Sequence, residues 1–264
     1  MVKIGKTELG KIPRIAISVT DKEENKIIRS LFVDILEIRV DQFKKLGLKY
    51  IQKIIANKKK TLIPLILTVR SKEEGGQRDI SNELKLKIFK ENISLVDAVD
   101  VELRSPILAE LIKIAKKNKK ILIISSHNFK LTPNDKIIKD ILSKAKKRGA
   151  NLVKIALKAN RPEDVIRLLK FTLENKAKNL ITISLGEIGS ISRLVFPAVG
   201  SLITYAFISK PSGLGQRPFD ELKEHLRIYY PQYNQNYIIK SRIIDIPPNK
   251  WTQRRVGISI STCS

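Results

Sequence analysis

The strongest constraint on this chain is an alternation of two hydrophobic periods, repeated eight times. Short β-rich runs occupy residues 14–19, 35–40, 62–69, 98–103, 121–126, 152–157, 180–185 and 203–208. Most are continuously apolar, as parallel strands covered on both faces must be. Stretches with helical spacing fill the gaps at 22–33, 44–56, 82–96, 106–117, 135–147, 162–176 and 190–199, and 219–228 follows the last run. Eight alternating β and α units predict an α/β protein, a closed (β/α)8 TIM barrel. An open doubly wound sheet is the alternative, but it usually has fewer strands, and no G-x-G-x-x-G follows the first run.

Local chemistry supports several boundaries. Ser81 is placed to cap its helix, Pro106 and Pro162 lie near first-turn positions, and Gly149 follows a helix end. Residues 2–11 read as a short hairpin closing the bottom of the barrel. The catalytic domain is expected to span 1–230, and 231–264 to form a basic C-terminal extension, a disordered or surface arm too short for its own core.

The formal charge is +25, from 51 Lys and Arg against 26 Asp and Glu. Such an excess raises nucleic-acid binding as a possibility. The clusters at 58–60, 116–120 and 144–148 each close a helical stretch just before a strand, however, where cations oppose the negative helix end. Few aromatics accompany them, so no stacking platform is evident. Nucleic-acid contact is expected to be non-specific only. One cysteine (Cys263) and two histidines make a structural zinc site an unlikely use of this chain, and no metal ligand set is assigned. A single cysteine, no long apolar span and no secretory N-terminus lead us to expect a cytoplasmic location without membrane contact.

In a barrel of this kind chemistry sits at the C-terminal strand ends. Polar residues gather there. Glu37 and Arg39 interrupt ILEIRVD, Arg70 and Glu74 lie in TVRSKEEGGQ, and Glu102 ends the fourth strand in VDVEL. His127 ends the fifth strand in IISSHNF, Lys154 interrupts LVKIAL, Arg193 lies in GEIGSISR, and Ser212 and Gln216 lie in SKPSGLGQ. Any one has a bland explanation as an edge charge or a core ion pair. Together they suggest a chemistry. A lysine in an apolar, cationic site has a lowered pKa and attacks a ketone as the free amine. The protonated imine is an electron sink, a histidine can move the neighbouring proton, and arginines can hold a carboxylate. The set fits loss of water from a small anionic hydroxy-ketone.

These motifs, in this order and spacing, resemble the type I 3-dehydroquinate dehydratases, from about Pro13 to Gln216. The resemblance implies dehydration of 3-dehydroquinate to 3-dehydroshikimate in the shikimate pathway, through a lysine Schiff base, without metal or cofactor, in a homodimer. It implies that Lys154 forms the Schiff base, that His127 is general base and acid, and that Glu74 orients His127. It implies that Arg193 holds the substrate carboxylate, and that Ser18, Glu37, Arg39, Arg70, Ser212 and Gln216 bind substrate. Asn128 stands where the family commonly has Asp, Leu185–Gly186 where it has Met–Gly, and SGLGQ where it has SAPGQ. Another Schiff-base barrel lyase, such as a class I aldolase, is the alternative; the His127, Glu74 and Arg193 set argues for dehydration. The 209–218 loop, with Pro211, Gly213, Gly215 and Pro218, is expected to act as a lid over the barrel mouth.

Overall fold

The structure is a computed structural model that describes residues 2–30 and 32–235. A hairpin opens the chain, β1 (Lys3–Ile4) against β2 (Thr7–Glu8). Strands and helices then alternate: β3 (Ile15–Val19), α1 (Asn25–Ser30), β4 (Ile35–Arg39), α2 (Leu48–Lys59), β5 (Leu65–Thr68), α3 (Asn82–Asn92), β6 (Ala98–Glu102) and α4 (Leu108–Lys117). The second half follows with β7 (Ile121–Asn128), α5 (Asp135–Lys147), β8 (Leu152–Lys158), α6 (Pro162–Glu174), β9 (Leu180–Leu185), α7 (Ser192–Val195), β10 (Thr204–Phe207), a two-residue β11 (Arg217–Pro218) and α8 (Phe219–Tyr229).

The pairing is parallel throughout the main sheet, and β10 hydrogen-bonds β3, joining the last long strand to the first. The β9–β10 seam is thinner. A bridge between Leu180 and Ser201 and the Leu202 N–H to Leu180 carbonyl bond (2.8 Å) connect those strands. The predicted α/β barrel is therefore the observed fold, with β11 as a short addition beside β10.

Strand alternation sorts the core into two. One set of side chains, including Val153, Ile155 and Leu157 of β8, packs outward against the helices. The other points inward: Ala16, Ile35, Ile66, Ala98, Ile123, Leu152, Ile181 and Ile203 fill the lower barrel. Ile4 and Leu9 of the hairpin belong to this inner cluster, so β1 and β2 cap its floor as expected.

The helix ends follow local chemistry. Ser81 Oγ accepts from the Leu84 N–H (3.2 Å), Pro162 opens α6, and Gly149 takes φ +88° after α5. Basic residues occupy the last turns of α2, α4 and α5, opposite the helix dipoles. Several expected bounds shift. The 62–69 run pairs only from Leu65, since Leu62 sits at φ +62° in a turn. The first helix starts at Asn25 because Glu23 Oε2 accepts from Thr20 N–H and Oγ1–H (2.6 and 2.9 Å), closing a turn ahead of it. Pro106 lies in the turn before α4 rather than within it. The 190–199 stretch is a short α turn between two 3-10 segments, with Pro197 inside the second. Tyr233 is buried in the outer cluster; 236–264, most of the expected extension, lies outside the described residues. Among the described residues, no helix is long and apolar enough to cross a membrane.

Candidate active site

Above the apolar floor the inward positions turn polar. One pair of residues further along the strands, Ser18, Glu37, Thr68, Asp100, Ser125 and Lys154 replace the alkyl side chains. Lys154 points inward because its neighbours Val153 and Ile155 face the helices. Only 5% exposed, it places Nζ 2.9 Å from Glu37 Oε1, 3.4 Å from Asp100 Oδ2 and 4.1 Å from the centre of the Tyr205 ring.

This environment corrects one expectation. Burial does act to lower the Lys154 pKa, but Glu37, Tyr205 and Asp100 together outweigh it and raise it. In the unliganded site the lysine is an ammonium ion facing two carboxylates. Glu37 is fixed by Ser18 Oγ–H (2.9 Å) and Thr68 Oγ1–H (3.2 Å). Burial pushes its carboxyl up, yet the Lys154 charge prevails and holds it low.

Arg70 organises the next side of the layer. Its guanidinium donates to Asp100 Oδ1 (2.7 Å), Glu102 Oε1 (2.9 Å) and Ser125 Oγ (2.8 Å). It is 3% exposed and fully engaged by its own chain. Arg39 likewise grips Asp41 with two bonds of 2.9 and 2.8 Å.

His127 is the penultimate residue of β7, two residues beyond Ser125 and so on the same face. Both its backbone N–H (2.8 Å) and ring Nδ1 (2.9 Å) meet Glu74 Oε2. A carboxylate accepting at Nδ1 fixes the neutral tautomer with Nε2 free to accept a proton. Burial, reinforced by Arg70, Lys154 and Arg39, holds His127 well below its ordinary pKa. Burial likewise pushes Glu74 up to about 7, against the pull of Arg70. Glu74 is positioned by the turn after β5. Gly75 there has φ +87°, and a Cβ would meet the Phe129 ring at 2.4 Å.

Arg193 stands apart from this network. It is 3% exposed and, among the described residues, makes no ion pair; it donates to the carbonyls of Ser184 (3.3 Å) and Leu214 (2.8 Å), while Nε finds no partner. Burial, with Arg217 nearby, brings its pKa down to about 10. Ser212 and Gln216 close the layer from above. Gln216 Oε1 accepts from the Ser212 N–H (2.6 Å), Ser212 Oγ–H (3.2 Å) and Gly213 N–H (3.2 Å). The ten residues to which the resemblance gives a role thus line one pocket, Ser18, Glu37, Arg39, Arg70, Glu74, His127, Lys154, Arg193, Ser212 and Gln216, whereas Glu102, also picked out at a strand end, does not.

Residues 15–232 match the model of the family described as type I 3-dehydroquinase. The chain belongs to that family. It is 39% identical over 220 residues to the 3-dehydroquinate dehydratase of Aquifex aeolicus, covering 82% of this chain and 98% of the relative. The enzyme of Hydrogenobaculum sp. is 36% identical over 219 residues, covering 82% and 99%. Among solved structures, type I 3-dehydroquinate dehydratase from Clostridium difficile, with covalently modified comenic acid, superposes with a TM-score of 0.80 at 32% identity, covering 86% and 96%. As a type I 3-dehydroquinate dehydratase the chain is a hydro-lyase of the shikimate pathway.

Within this dehydratase, sequence reasoning missed Asp100 and Tyr205. Asp100 carries a readable signal: it interrupts AVDVE as Lys154 interrupts LVKIAL. Tyr205 has none, because an aromatic in a strand reads as core. A larger cavity of about 730 Å³ lies on the other side of Glu74 and His127, toward α3 and α5. Lys154 lines the smaller pocket and not this one.

Proposed function

We propose that the chain dehydrates 3-dehydroquinate through an imine on Lys154, with His127 moving the proton. The observation that carries this reading is one inward lysine, buried between two carboxylates, on the strand beside a histidine whose Nδ1 lies 2.9 Å from Glu74. Glu37, 2.9 Å away, can take the proton that the ammonium must shed. The amine then adds to the substrate ketone, and the carbinolamine loses water to give a protonated imine. His127 Nε2 removes a proton from the adjacent carbon, and the electron pair moves to nitrogen as an enamine. The enamine expels the β-hydroxyl, which takes the proton back from His127 and leaves as water. Hydrolysis of the imine returns Lys154 and releases 3-dehydroshikimate. No step requires a metal or cofactor.

Arg193 suits the substrate carboxylate because, among the described residues, its charge has no carboxylate partner and one of its N–H groups is unused. Arg39 and Arg70 act by field and by positioning, since both are engaged by Asp41, Asp100 and Glu102. Arg70 helps keep His127 neutral and ready to accept.

The 209–218 loop fits a lid. The pocket beneath it leaves about 50 Å³ of room. A benzene-sized ring needs a cavity of about 150 Å³, so a pocket this small supports a loop that moves to admit substrate. Protection of the loop from protease by bound product tests this. The reading extends to a cytoplasmic homodimer, which sedimentation equilibrium tests for assembly and fractionation for location.

The deciding experiment incubates the protein with 3-dehydroquinate, reduces with borohydride, and locates the adduct by peptide mass. We expect the added mass on the peptide containing Lys154. An adduct on a different lysine, or none during turnover, overturns the proposal.

A further inference from the structure

Among the described residues, two buried side-chain groups that line the pocket have a donor with no acceptor, Arg193 Nε–H and the Tyr205 O–H, whose oxygen is approached by the Lys154 ammonium alone. The first is accounted for by the substrate carboxylate. The second is not used by the mechanism above. Tyr205 is 3% exposed and sits on β10 in register with Ala16, among the inward residues of the barrel. Its ring lies under the Lys154 ammonium, so its hydroxyl is within a few ångström of where the imine nitrogen forms.

A buried O–H donor without an acceptor is unfavourable for the folded chain, and a phenylalanine would fill the same space without that cost. The ring alone would serve the cation. Retaining an unsatisfied donor beside a reacting nitrogen makes sense if a ligand satisfies it. Burial raises the phenol pKa, so the group is a neutral O–H donor at working pH.

We propose that Tyr205 is a substrate-positioning residue with two separable parts. Its ring face holds the positive charge on Lys154 and then on the imine, and its hydroxyl donates to an oxygen on the substrate ring near the imine carbon. This rests on the Schiff-base reading above, and it adds a hydrogen bond which that reading does not contain.

The two parts call for two variants, each measured for melting temperature, kinetics and borohydride trapping across pH. Tyr205→Phe keeps the ring. It is expected to melt no lower than the parent, because an unsatisfied buried group is removed, while KM rises about three- to tenfold, the range for one lost neutral hydrogen bond. The pH dependence of its trapping should match the parent. Tyr205→Leu removes the ring as well, and the midpoint of trapping against pH should move to lower pH, since the ammonium loses support. A purely structural tyrosine would show the opposite for Tyr205→Phe: a lower melting temperature with unchanged KM, which would overturn the hydroxyl's role. Equal pH profiles for parent and Tyr205→Leu would overturn the ring's role. Absence of any adduct on the parent protein would instead remove the Schiff-base reading, so the two failures are distinguishable.

Discussion

The inside of the barrel is two regions stacked on one another, built by the same strands and opposite in character. In the lower region Ala16, Ile35, Ile66, Ala98, Ile123 and Leu152 pack above a floor closed by Ile4 and Leu9. Two residues on, the same strands carry Ser18, Glu37, Thr68, Asp100, Ser125 and Lys154. The lower region gains free energy by removing alkyl surface from water. In the upper region burial disfavours each charge, and fixed partners offset it: Lys154 with Glu37, Arg70 with Asp100 and Glu102. A rigid apolar base thus lets a charged layer be held in one geometry for chemistry.

Substitutions in the two regions should separate activity from stability. The largest effect belongs to Lys154→Ala, which should cut turnover by about 10⁴-fold or more and abolish the borohydride adduct. Residual turnover near the parent rate would show that the upper layer does not work through its lysine.

His127→Ala should lower kcat by about 10²- to 10⁴-fold while leaving the substrate trappable on Lys154. Loss of trapping together with loss of kcat would mean that the histidine serves imine formation instead.

Glu74→Gln tests the field on that histidine. With Glu74 titrating at about 7, the acid limb of kcat/KM should fall near pH 7, since the carboxylate holds the Nδ1–H and leaves Nε2 free. In Glu74→Gln the limb should move to lower pH, where His127 alone sets it. Stability carries a matching sign. Glu74 ionises at about 7 when folded against an ordinary 4.5, so its contribution declines as pH rises from 4.5 through 7. The glutamine variant should lack that decline in its melting temperatures.

Ile123→Ala, in the lower region, should behave in the reverse way. We expect about 2–5 kcal/mol less stability in denaturant unfolding. At a temperature where it stays folded, kcat should remain within about twofold of the parent. A large drop in kcat would erase the division between the regions.

Much of this was legible because the barrel repeats one rule. Short continuous apolar runs alternating with helical stretches predict the architecture, and a charge inside such a run marks an inward polar position, as at Lys154 and Glu37. The same rule applied to Asp100 would have found it, but Glu102 at the strand end drew the attention. What a sequence does not display is saturation. Arg70 reads as a substrate ligand because it follows a strand end, and only the fold brings Asp100, Glu102 and Ser125 to its guanidinium. Neighbour charge across strands was hidden in the same way. The sequence around Lys154 suggests a cationic setting, whereas Glu37, 117 positions away in the chain, supplies the nearest charge. The 190–199 stretch has helical spacing, but Pro197 and the left-handed Gly200 divide it.

The pairing of β3 with β10 has a consequence for how the molecule is made. Ile15 and Ala16 must wait for Thr204 and Tyr205 before their strand has both neighbours. Contacts so distant along the chain close late and slowly, because loop entropy is spent before they return anything. On a ribosome, seven strands would emerge with a bare edge at β3, exposing unpaired N–H and C=O groups to other nascent chains. Only when residues 204–206 leave the exit tunnel does that edge disappear.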